Sequence, residues 1–311
     1  MYNPTKPYKK EILRTIETTW HSPYVSVTAG LYPTFRKHFS FPEVQHTDGI
    51  GTKGNYHWSA RTFRAAVIDA LAMNLNDLAM VRATPYALQN HLVLPKDDTR
   101  AIRAVITTLA DICRRKKIAM TGGETSIHDD VRGLDISITV SGFIPKQVPN
   151  VFRAGDILIG LKSSGIHSNG FSVVRRVFGN KVRKEFTIPT AIYLDTILAL
   201  TKKYTVHGMM HITGGAFSKL KDVLGNNDAL IEQPQKLFPQ EIFFELFTKG
   251  LSNKEMYATF NCGVGFILSA PFADAQKIIA HTKNAALIGR VVKGKGRVII
   301  TSAFDGKRVV L

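Results

Sequence analysis

Stretches with helical spacing and stretches with strand-like spacing follow one another along the chain. Residues 8–20 are typical of an opening helix, and residues 62–81 of a long helix rich in Ala, Leu and Met. Across residues 100–116 apolar residues recur at helical spacing, which places them on one side of a third helix. Residues 88–94 and 136–144 are shorter, and in the second stretch apolar and polar side chains alternate, as in a strand with one buried face. The alternation of the two types of element predicts a protein of the α/β or α+β class.

A further strand is predicted to stop in a polar turn over residues 155–170, GDILIGLKSSGIHSNG, ahead of a helix that begins near Phe171. Between Gly165 and Gly170 there is room for backbone N–H groups to converge, and serine, histidine and asparagine add side-chain donors. Residues 157–176 contain no acidic side chain, which favours an anion nearby. The segment fits a phosphate-binding loop, and equally a solvated turn whose serine or asparagine caps the next helix.

Residues 47–53, TDGIGTK, combine a carboxylate, two glycines, a hydroxyl and an ammonium group. Asp48 can bind Mg²⁺ as a hard oxygen ligand while Lys53 meets phosphate as a point charge. The spacing is neither that of the P-loop nor that of the dinucleotide-binding fingerprint, so those folds are not indicated. A tight turn with an incidental lysine explains the same residues.

Acidic residues interrupt the apolar helix predicted over residues 62–81. At helical spacing Asp69, Met73 and Asn76 share one face, and Asp77 flanks that face. A carboxylate buried without a cation or donors is costly, so Asp69 and Asp77 must be exposed, capped or bound to a ligand.

Turns are predicted at three further glycine-rich segments, residues 121–125 (TGGET), 211–216 (HITGGA) and 260–266 (FNCGVGF). Glu124 in the first is a third candidate ligand, or an acid at a helix start stabilised by the helix dipole. The second segment suits a phosphate or ribose contact and equally a helix start. In the third, the glycines would allow the backbone to approach another strand closely.

The charge balance is strongly basic, with 41 Lys and Arg against 24 Asp and Glu and a formal net charge of +17. The basic residues are spread along the chain and no nucleic-acid-binding motif is present, so we expect general affinity for phosphate-bearing ligands rather than specific nucleic-acid binding. Cys113 and Cys262 are far apart and lack the spacing of metal ligands, so neither a disulfide framework nor a zinc site is supported.

Length and hydropathy predict a cytoplasmic protein of two domains. At 311 residues the chain can build two cores. The best linker is residues 146–150, and the boundary is placed near residue 148, giving domains 1–148 and 149–311. No stretch is long and apolar enough to span a membrane, and the first residues lack an apolar signal core.

Six segments together carry a resemblance to a known family, in that family's order and spacing from about residue 46 to the C-terminus. They are residues 47–53 (TDGIGTK), 68–77 (IDALAMNLND), 121–125 (TGGET), 155–170 (GDILIGLKSSGIHSNG), 211–216 (HITGGA) and 260–266 (FNCGVGF). The sequence resembles the aminoimidazole ribonucleotide synthetase, or phosphoribosylformylglycinamidine cyclo-ligase, family of purine biosynthesis.

The resemblance implies an ATP-dependent enzyme that cyclises formylglycinamidine ribonucleotide to 5-aminoimidazole ribonucleotide and releases ADP and phosphate. In the family reaction, ATP activates the amide oxygen as a phosphoryl imidate, the amidine nitrogen attacks that carbon, and phosphate leaves. The protein's contribution is mainly placement and charge neutralisation.

The resemblance also implies site residues. Catalytic roles fall to Asp48, to Lys53 on phosphate and to His167 as a donor to the leaving oxygen. Mg²⁺ is expected on Asp48, Asp77 and Glu124. The ATP site is expected to comprise Asp48, Gly49, Gly51, Thr52, Lys53, Asp69, Asn76, Asp77, Gly122, Gly123 and Glu124. The substrate phosphate or transferring phosphoryl group is expected at Ser164, His167, Ser168, Asn169, Gly170, Thr213, Gly214 and Gly215.

The fold implied by the resemblance has an N-terminal ATP-binding domain and a C-terminal α/β domain, with a nucleotide cleft at the domain junction. The N-terminal strands are expected to form a barrel with those of a second subunit. Residues 88–94 and 136–144 support a homodimer, because their open strand edges would otherwise be exposed.

Two departures from the family pattern keep alternatives open. The N-terminal glycine segment that covers the nucleotide in relatives has no counterpart, and residues 88–91 read LQNH where relatives carry Leu-Asp-Tyr. The alternatives are another ATP-dependent enzyme of the superfamily, such as thiamine-phosphate kinase, and a noncatalytic nucleotide-binding paralogue.

Overall fold

The computed structural model describes residues 8–179 and 181–311, which belong to two compact units, Met1–Lys146 and Gln147–Leu311. Residues 1–7, on which the expected absence of a signal core rests, lie outside the described residues. Within the described ranges, no helix is both long and apolar enough to cross a membrane.

The N-terminal unit is built on a four-stranded sheet of order β3-β6-β4-β5, in which only the β4–β5 pair is parallel. Helices α3 and α4 contact each other, and α3 contacts β3 and β6. In chain order the elements are α1 (Lys9–Glu17), β1 (Val25–Thr28), β2 (Thr34–Lys37), β3 (Glu43–Gly49), α2 (Gly54–Ala60), α3 (Phe63–Met80), β4 (Thr84–Leu94), α4 (Thr99–Lys116), β5 (Ala119–Ile127) and β6 (Asp135–Phe143).

Helices α1, α3 and α4 confirm the three predicted helices, and β4 and β6 confirm the two predicted strands. Local chemistry defines the ends of α4. The side chain of Asp98 accepts a hydrogen bond from the N–H of Ala101 at its start, and Lys117 ends it with a φ of 60°. Helix α3 is buried over most of its surface, which explains why its sequence is apolar almost throughout.

The two faces of this sheet differ in polarity. Along β6, Ile136, Ile138 and Val140 are buried, whereas the residues between them, such as Thr139, point to the other face and are half-buried. On that second face the hydroxyls of Thr47 and Thr139 lie 2.9 Å apart. The period-two pattern predicted for this strand therefore separates an apolar, helix-covered face from a polar one.

Residues 88–94 and 136–144 do not have the open strand edges expected from their sequence. Strands β4 and β6, which contain most of residues 88–94 and 136–144, are the two central strands of the sheet. The outer strands are β3 and β5. Periodicity reports which face of a strand is buried, but the neighbours of a strand depend on chain topology, so the edge positions were not readable from the pattern.

The C-terminal unit contains a seven-stranded sheet of order β13-β12-β9-β11-β7-β10-β8, and β10 is buried along its whole length. Neighbouring strands are antiparallel except β12 and β9. In chain order the elements are β7 (Ile157–Lys162), α5 (Phe171–Phe178), α6 (Leu194–Lys203), β8 (Gly208–His211), α7 (Lys221–Leu224), β9 (Asn227–Glu232), α8 (Glu241–Thr248), α9 (Asn253–Thr259), β10 (Val264–Ala270), α10 (Phe272–His281), β11 (Ala285–Lys293), β12 (Val298–Thr301) and β13 (Arg308–Val310).

Candidate functional site

The TDGIGTK segment links the end of β3 to α2 through a short 3-10 turn, Gly51–Lys53. Gly51 has a φ of +53°, which glycine adopts without strain. At Gly49 a Cβ would lie 2.8 Å from the carbonyl oxygen of Ile136, so the close approach to β6 also requires glycine. Asp48 is half-buried, and its Oδ1 accepts a hydrogen bond of 2.7 Å from the N–H of Gly49.

Lys53, expected on phosphate, lies inside the N-terminal unit with only 1% of its surface exposed. Its Nζ donates to Asp69 Oδ1 at 2.9 Å and lies 2.8 Å from Oδ2. His57 Nε2 is 2.8 Å from the same Oδ2, and His57 Nδ1 is 2.8 Å from Thr62 Oγ1. Lys53 of the motif and Asp69 of helix α3 therefore form an ion pair with each other. His57 makes a further hydrogen bond to Asp69.

The pKa directions agree with this pairing. Burial raises the pKa of Asp69, but the charge of Lys53 and the hydrogen bonds from Lys53 and His57 outweigh it and lower the pKa to about 2. Burial lowers the pKa of Lys53, and Asp69 opposes that effect. The ion pair thus offsets the desolvation of both groups.

A second polar group joins Asp48 to Asp77. His46 Nε2 lies 3.3 Å from Asp77 Oδ2, and His46 Nδ1 lies 3.0 Å from Asn74 Oδ1. Asn74 Nδ2 donates to the backbone oxygen of Asp48 at 3.1 Å. The hydrogen bond to Asp77 raises the pKa of His46, and both ring nitrogens face acceptors, as the protonated ring requires.

The TGGET segment is not the predicted turn. It lies within β5 and pairs in parallel with β4, where Gly123 lies opposite Asn90. A Cβ on Gly123 would lie 2.8 Å from the backbone oxygen of Asn90, so this glycine permits strand contact rather than chain reversal. Glu124 is exposed on the same strand, and its Oε1 accepts from the N–H of Thr125 at 2.9 Å.

The expected nucleotide residues therefore divide by exposure. Asn76, Lys53 and Asp69 are buried. The more accessible ones are Asp48, Gly49, Gly51, Thr52, Asp77, Gly122, Gly123 and Glu124.

The expected magnesium ligands supply hard oxygens but do not form a closed cage. Among the described residues, no group of three or more His, Cys, Asp or Glu side chains could hold a metal ion. Mg²⁺ in nucleotide sites commonly binds one or two carboxylates, together with phosphate oxygens and water. Asp48 and Asp77 fit that role, because the contacts of Asn74 with the Asp48 backbone and with His46, and of His46 with Asp77, place them in one neighbourhood.

Three polar segments of the C-terminal unit meet at one edge of its sheet. Strands β7 and β8 both run antiparallel to β10, so the segments that follow β7 and β8 lie beside the segment that precedes β10. These are the SSGIHSNG, HITGGA and FNCGVGF stretches. Sequence spacing did not indicate that they would converge, since 40 residues lie between Gly170 and His211 and 43 between Ala216 and Phe260.

Hydrogen bonds hold the three segments together. Asn261 Nδ2 donates to the backbone oxygens of Gly165 at 2.8 Å and Ile166 at 3.2 Å. Asn169 Nδ2 donates to Thr213 Oγ1. Asn261 was missed as a site-building residue, because an asparagine between Phe and Cys carries no local signal of such a bond.

The capping interpretation of the first loop is wrong. Helix α5 begins after Gly170, which has a φ of +74° and provides no side-chain cap. A Cβ on Gly170 would lie 2.2 Å from the Phe260 ring, so glycine is required by both conformation and space. The serine and asparagine side chains before it make other contacts: Ser164 Oγ donates to the oxygen of Pro189 at 2.6 Å, and the Ser168 hydroxyl lies 3.1 Å from that of Thr190.

His167 lies in the interior of this loop rather than at its surface. It is 1% exposed, has a φ of +64°, and its Nε2 accepts a 3.2 Å hydrogen bond from the N–H of Ser164. The ring also lies beside Tyr193, with 6.3 Å between ring centroids. Exposed backbone is instead offered by Gly214 and Gly215, whereas the N–H of the exposed Ser164 already donates to His167.

The class of protein follows from comparison of both units with known families. Residues 41–144 match the N-terminal domain, and residues 153–301 the C-terminal domain, of the AIR synthase related proteins. The chain belongs to this family.

Its curated relatives include enzymes named phosphoribosylformylglycinamidine cyclo-ligase. That of Saccharolobus solfataricus is 33% identical over 305 residues, 94% of this chain and 92% of the relative. That of Methanococcus maripaludis strain C6 is 35% identical over 295 residues, 85% of this chain and 84% of the relative.

Solved structures share the fold at lower sequence identity. Hydrogenase maturation protein HypE in complex with ATP is 16% identical, with a TM-score of 0.69 over 99% of this chain and 95% of that chain. Thiamine-monophosphate kinase from Stenotrophomonas maltophilia K279a is 16% identical, with a TM-score of 0.63 over 99% of this chain and 98% of that chain.

Proposed function

We propose that the protein is a phosphoribosylformylglycinamidine cyclo-ligase. It would use ATP to close the imidazole ring of 5-aminoimidazole ribonucleotide and release ADP and phosphate, a step of purine biosynthesis. The observation that carries the proposal is the match to relatives of this name across nearly the whole chain, through both units. The polar segments in which the resemblance lies also gather at defined places within each unit.

The N-terminal unit supplies the proposed Mg²⁺–ATP site. Asp48 and Asp77 would share Mg²⁺ with the phosphates. Glu124, expected as a third ligand, lies on β5 at the opposite edge of the sheet from β3, roughly three strand spacings of ~4.8 Å away, so it would not bind the same ion. The exposed backbone of Gly51 and Thr52, between Asp48 and the buried Lys53, can approach phosphate without steric hindrance. Bound Mg²⁺ would neutralise charge on the transferring phosphoryl group.

The C-terminal unit supplies the proposed site for the substrate phosphate. Its loop edge combines the backbone of Gly170 with that of Gly214 and Gly215, and residues 157–176 contain no carboxylate that would repel an anion. Donors fixed before the ligand arrives need no reorganisation during the reaction, which is the source of their effect. His167 would act here by shaping the loop or, as the resemblance implies, by donating a proton.

A homodimer would complete the N-terminal sheet. The outer strands β3 and β5 end the described four-stranded sheet, and its second face is polar and half-exposed. Pairing these edge strands with those of a second copy would close the two sheets into a barrel. The polar face would then line the inside of that barrel.

A substrate-dependent assay of ADP release tests the proposed activity. We expect Mg²⁺–ATP turnover only with formylglycinamidine ribonucleotide, and we expect Asp48→Asn to reduce it by about 10²-fold or more while hardly changing the thermal midpoint, because the side chain serves phosphate rather than packing. Asp129→Asn, on an exposed turn, is the matched control.

Two results would contradict the proposal. ADP release with thiamine monophosphate in place of the ribonucleotide would indicate a kinase of the same fold. Nucleotide binding without turnover on either substrate would indicate a noncatalytic paralogue.

A further inference from the structure

We propose that Lys53, Asp69 and His57 form a positioning network that holds the phosphate-facing turn of residues 48–53 in place, and that Lys53 does not itself contact nucleotide. The network deepens the proposed function, since the turn is assigned to ATP. It reverses the role expected for Lys53 from its motif and gives a role to His57, which no motif contains.

The three residues come from three consecutive elements of the N-terminal unit. Lys53 ends the 3-10 turn, His57 lies in α2 and Asp69 lies in α3. All three are at most 1% exposed. The carboxylate of Asp69 receives Lys53 at 2.8–2.9 Å and His57 at 2.8 Å, so one buried anion ties the turn to both helices.

The charge balance of the network argues against a phosphate role for Lys53. With His57 donating from Nε2 to Asp69, its Nδ1 can accept from the hydroxyl of Thr62, and the neutral ring satisfies both contacts. One cation, one anion and one neutral ring then give no net charge in the interior. Moving the ammonium group outward to a phosphate would leave Asp69 buried without its cation, which is strongly unfavourable.

The turn is fixed at two buried points with an exposed stretch between them. Ile50 is buried, and its N–H donates to the backbone oxygen of Ile136 at 3.1 Å. Lys53 provides the second anchor. Gly51 and Thr52 between them are exposed, so the network sets the direction in which their backbone faces the solvent.

A double-mutant cycle separates positioning from direct contact. The proteins are wild type, Lys53→Met, Asp69→Asn and the combined variant, with Lys10→Met as the exposed lysine control. The measurements are the thermal midpoint without ligand, the Mg²⁺–ATP dissociation constant by calorimetry, and kcat and KM for ATP below every midpoint.

Each single change leaves a buried charge unpaired, so we expect it to lower the midpoint and raise the ATP dissociation constant about tenfold or more. Removing both charges should restore the midpoint and bring the dissociation constant to within about threefold of wild type, with KM for ATP following it. Restored stability without restored ATP affinity would overturn the proposal. So would single variants with wild-type midpoint and affinity.

Acetylation of the wild-type protein provides a second test that needs neither variants nor turnover. We expect acetic anhydride to leave Lys53 unmodified with and without Mg²⁺–ATP, and to modify Lys10 in both states, as read by peptide mass spectrometry. Modification of Lys53 in the free protein and protection by ATP would show phosphate contact and refute the network's role. This result decides the matter if the combined variant does not fold, and it holds even if the cyclo-ligase assay is negative.

Discussion

At the scale of single residues, the charged and polar groups of the motifs do two kinds of work. Lys53 and Asp69 form a buried ion pair with each other. Gly51 and Thr52, which precede Lys53, are exposed. A buried charge must be compensated before it can serve any other purpose, so burial decides which motif residues are available to a ligand. The accessible backbone, more than the ionised side chains, is then the natural phosphate contact.

His167 was expected to donate a proton to the leaving oxygen, but in the structure it is a buried ring that accepts a hydrogen bond within its own loop. Since the His167 ring is buried and its Nε2 accepts from the N–H of Ser164, replacing it with alanine should remove that hydrogen bond and the packing of the ring, and lower the free energy of unfolding by about 1–3 kcal/mol. His167→Asn tolerates the positive φ and keeps an acceptor, so it should retain more stability.

Chemical denaturation and steady-state kinetics on the two His167 variants distinguish the roles. A loop-shaping histidine predicts that turnover follows stability, with Asn closer to wild type than Ala. Loss of turnover in both variants at wild-type stability would instead show that His167 donates a proton.

At the scale of elements, the ends of three strands build the C-terminal site. Antiparallel pairing of β10 with β7 and β8 brings distant segments to one edge, and Asn261 then fastens the first loop through the carbonyls of Gly165 and Ile166. The loop's shape therefore depends on a residue that approaches from another strand.

Loss of the hydrogen bonds that Asn261 donates to the first loop should weaken the binding of one substrate selectively. We expect Asn261→Ala to raise KM for formylglycinamidine ribonucleotide by about tenfold, corresponding to about 1.4 kcal/mol, while KM for ATP changes little. Asn150→Ala, which removes a comparable side-chain bond to Met209 elsewhere in the unit, is the control. Equal changes in both KM values for Asn261→Ala would contradict the assignment of this loop to the ribonucleotide.

At the scale of the whole molecule, sheet topology decides how the chain can assemble. The central positions of β4 and β6 leave β3 and β5 as the outer strands of the N-terminal sheet, where pairing with another copy is possible. One face of this sheet is already covered by helices, so the polar face does not by itself require a partner. The unpaired edges of β3 and β5 are the reason to expect a dimer.

Sedimentation equilibrium at micromolar concentration tests this assembly. We expect twice the chain mass of 34.5 kDa. Replacing Thr47 on β3 with proline should shift the protein toward monomer, since proline removes an N–H and is poorly tolerated in a paired strand. A stable wild-type monomer would exclude the proposed dimer.

Much of this protein is determined by local sequence. Period and glycine placement predicted α3, α4, β4 and β6, because hydrophobic spacing selects which side of a helix or strand can be buried. The six motifs in order identified the family before any tertiary contact was known. The elements depend on residues close together in the sequence, and the family resemblance depends on short sequence motifs. Both are present in the linear chain.

Only the tertiary structure decided where the chemistry is. TGGET became a strand because β4 lies beside it, Lys53 turned inward because Asp69 lies above it in α3, and Asn261 met Gly165 across the sheet. Each outcome depends on a partner at least 16 positions away in the sequence. Gly165 and Asn261 are 96 positions apart, and nothing in the sequence between them indicates their hydrogen bond. Burial and pairing are properties of the assembled fold. The sequence therefore predicts Lys53 as a phosphate ligand, whereas in the structure it is the buried counter-ion of Asp69.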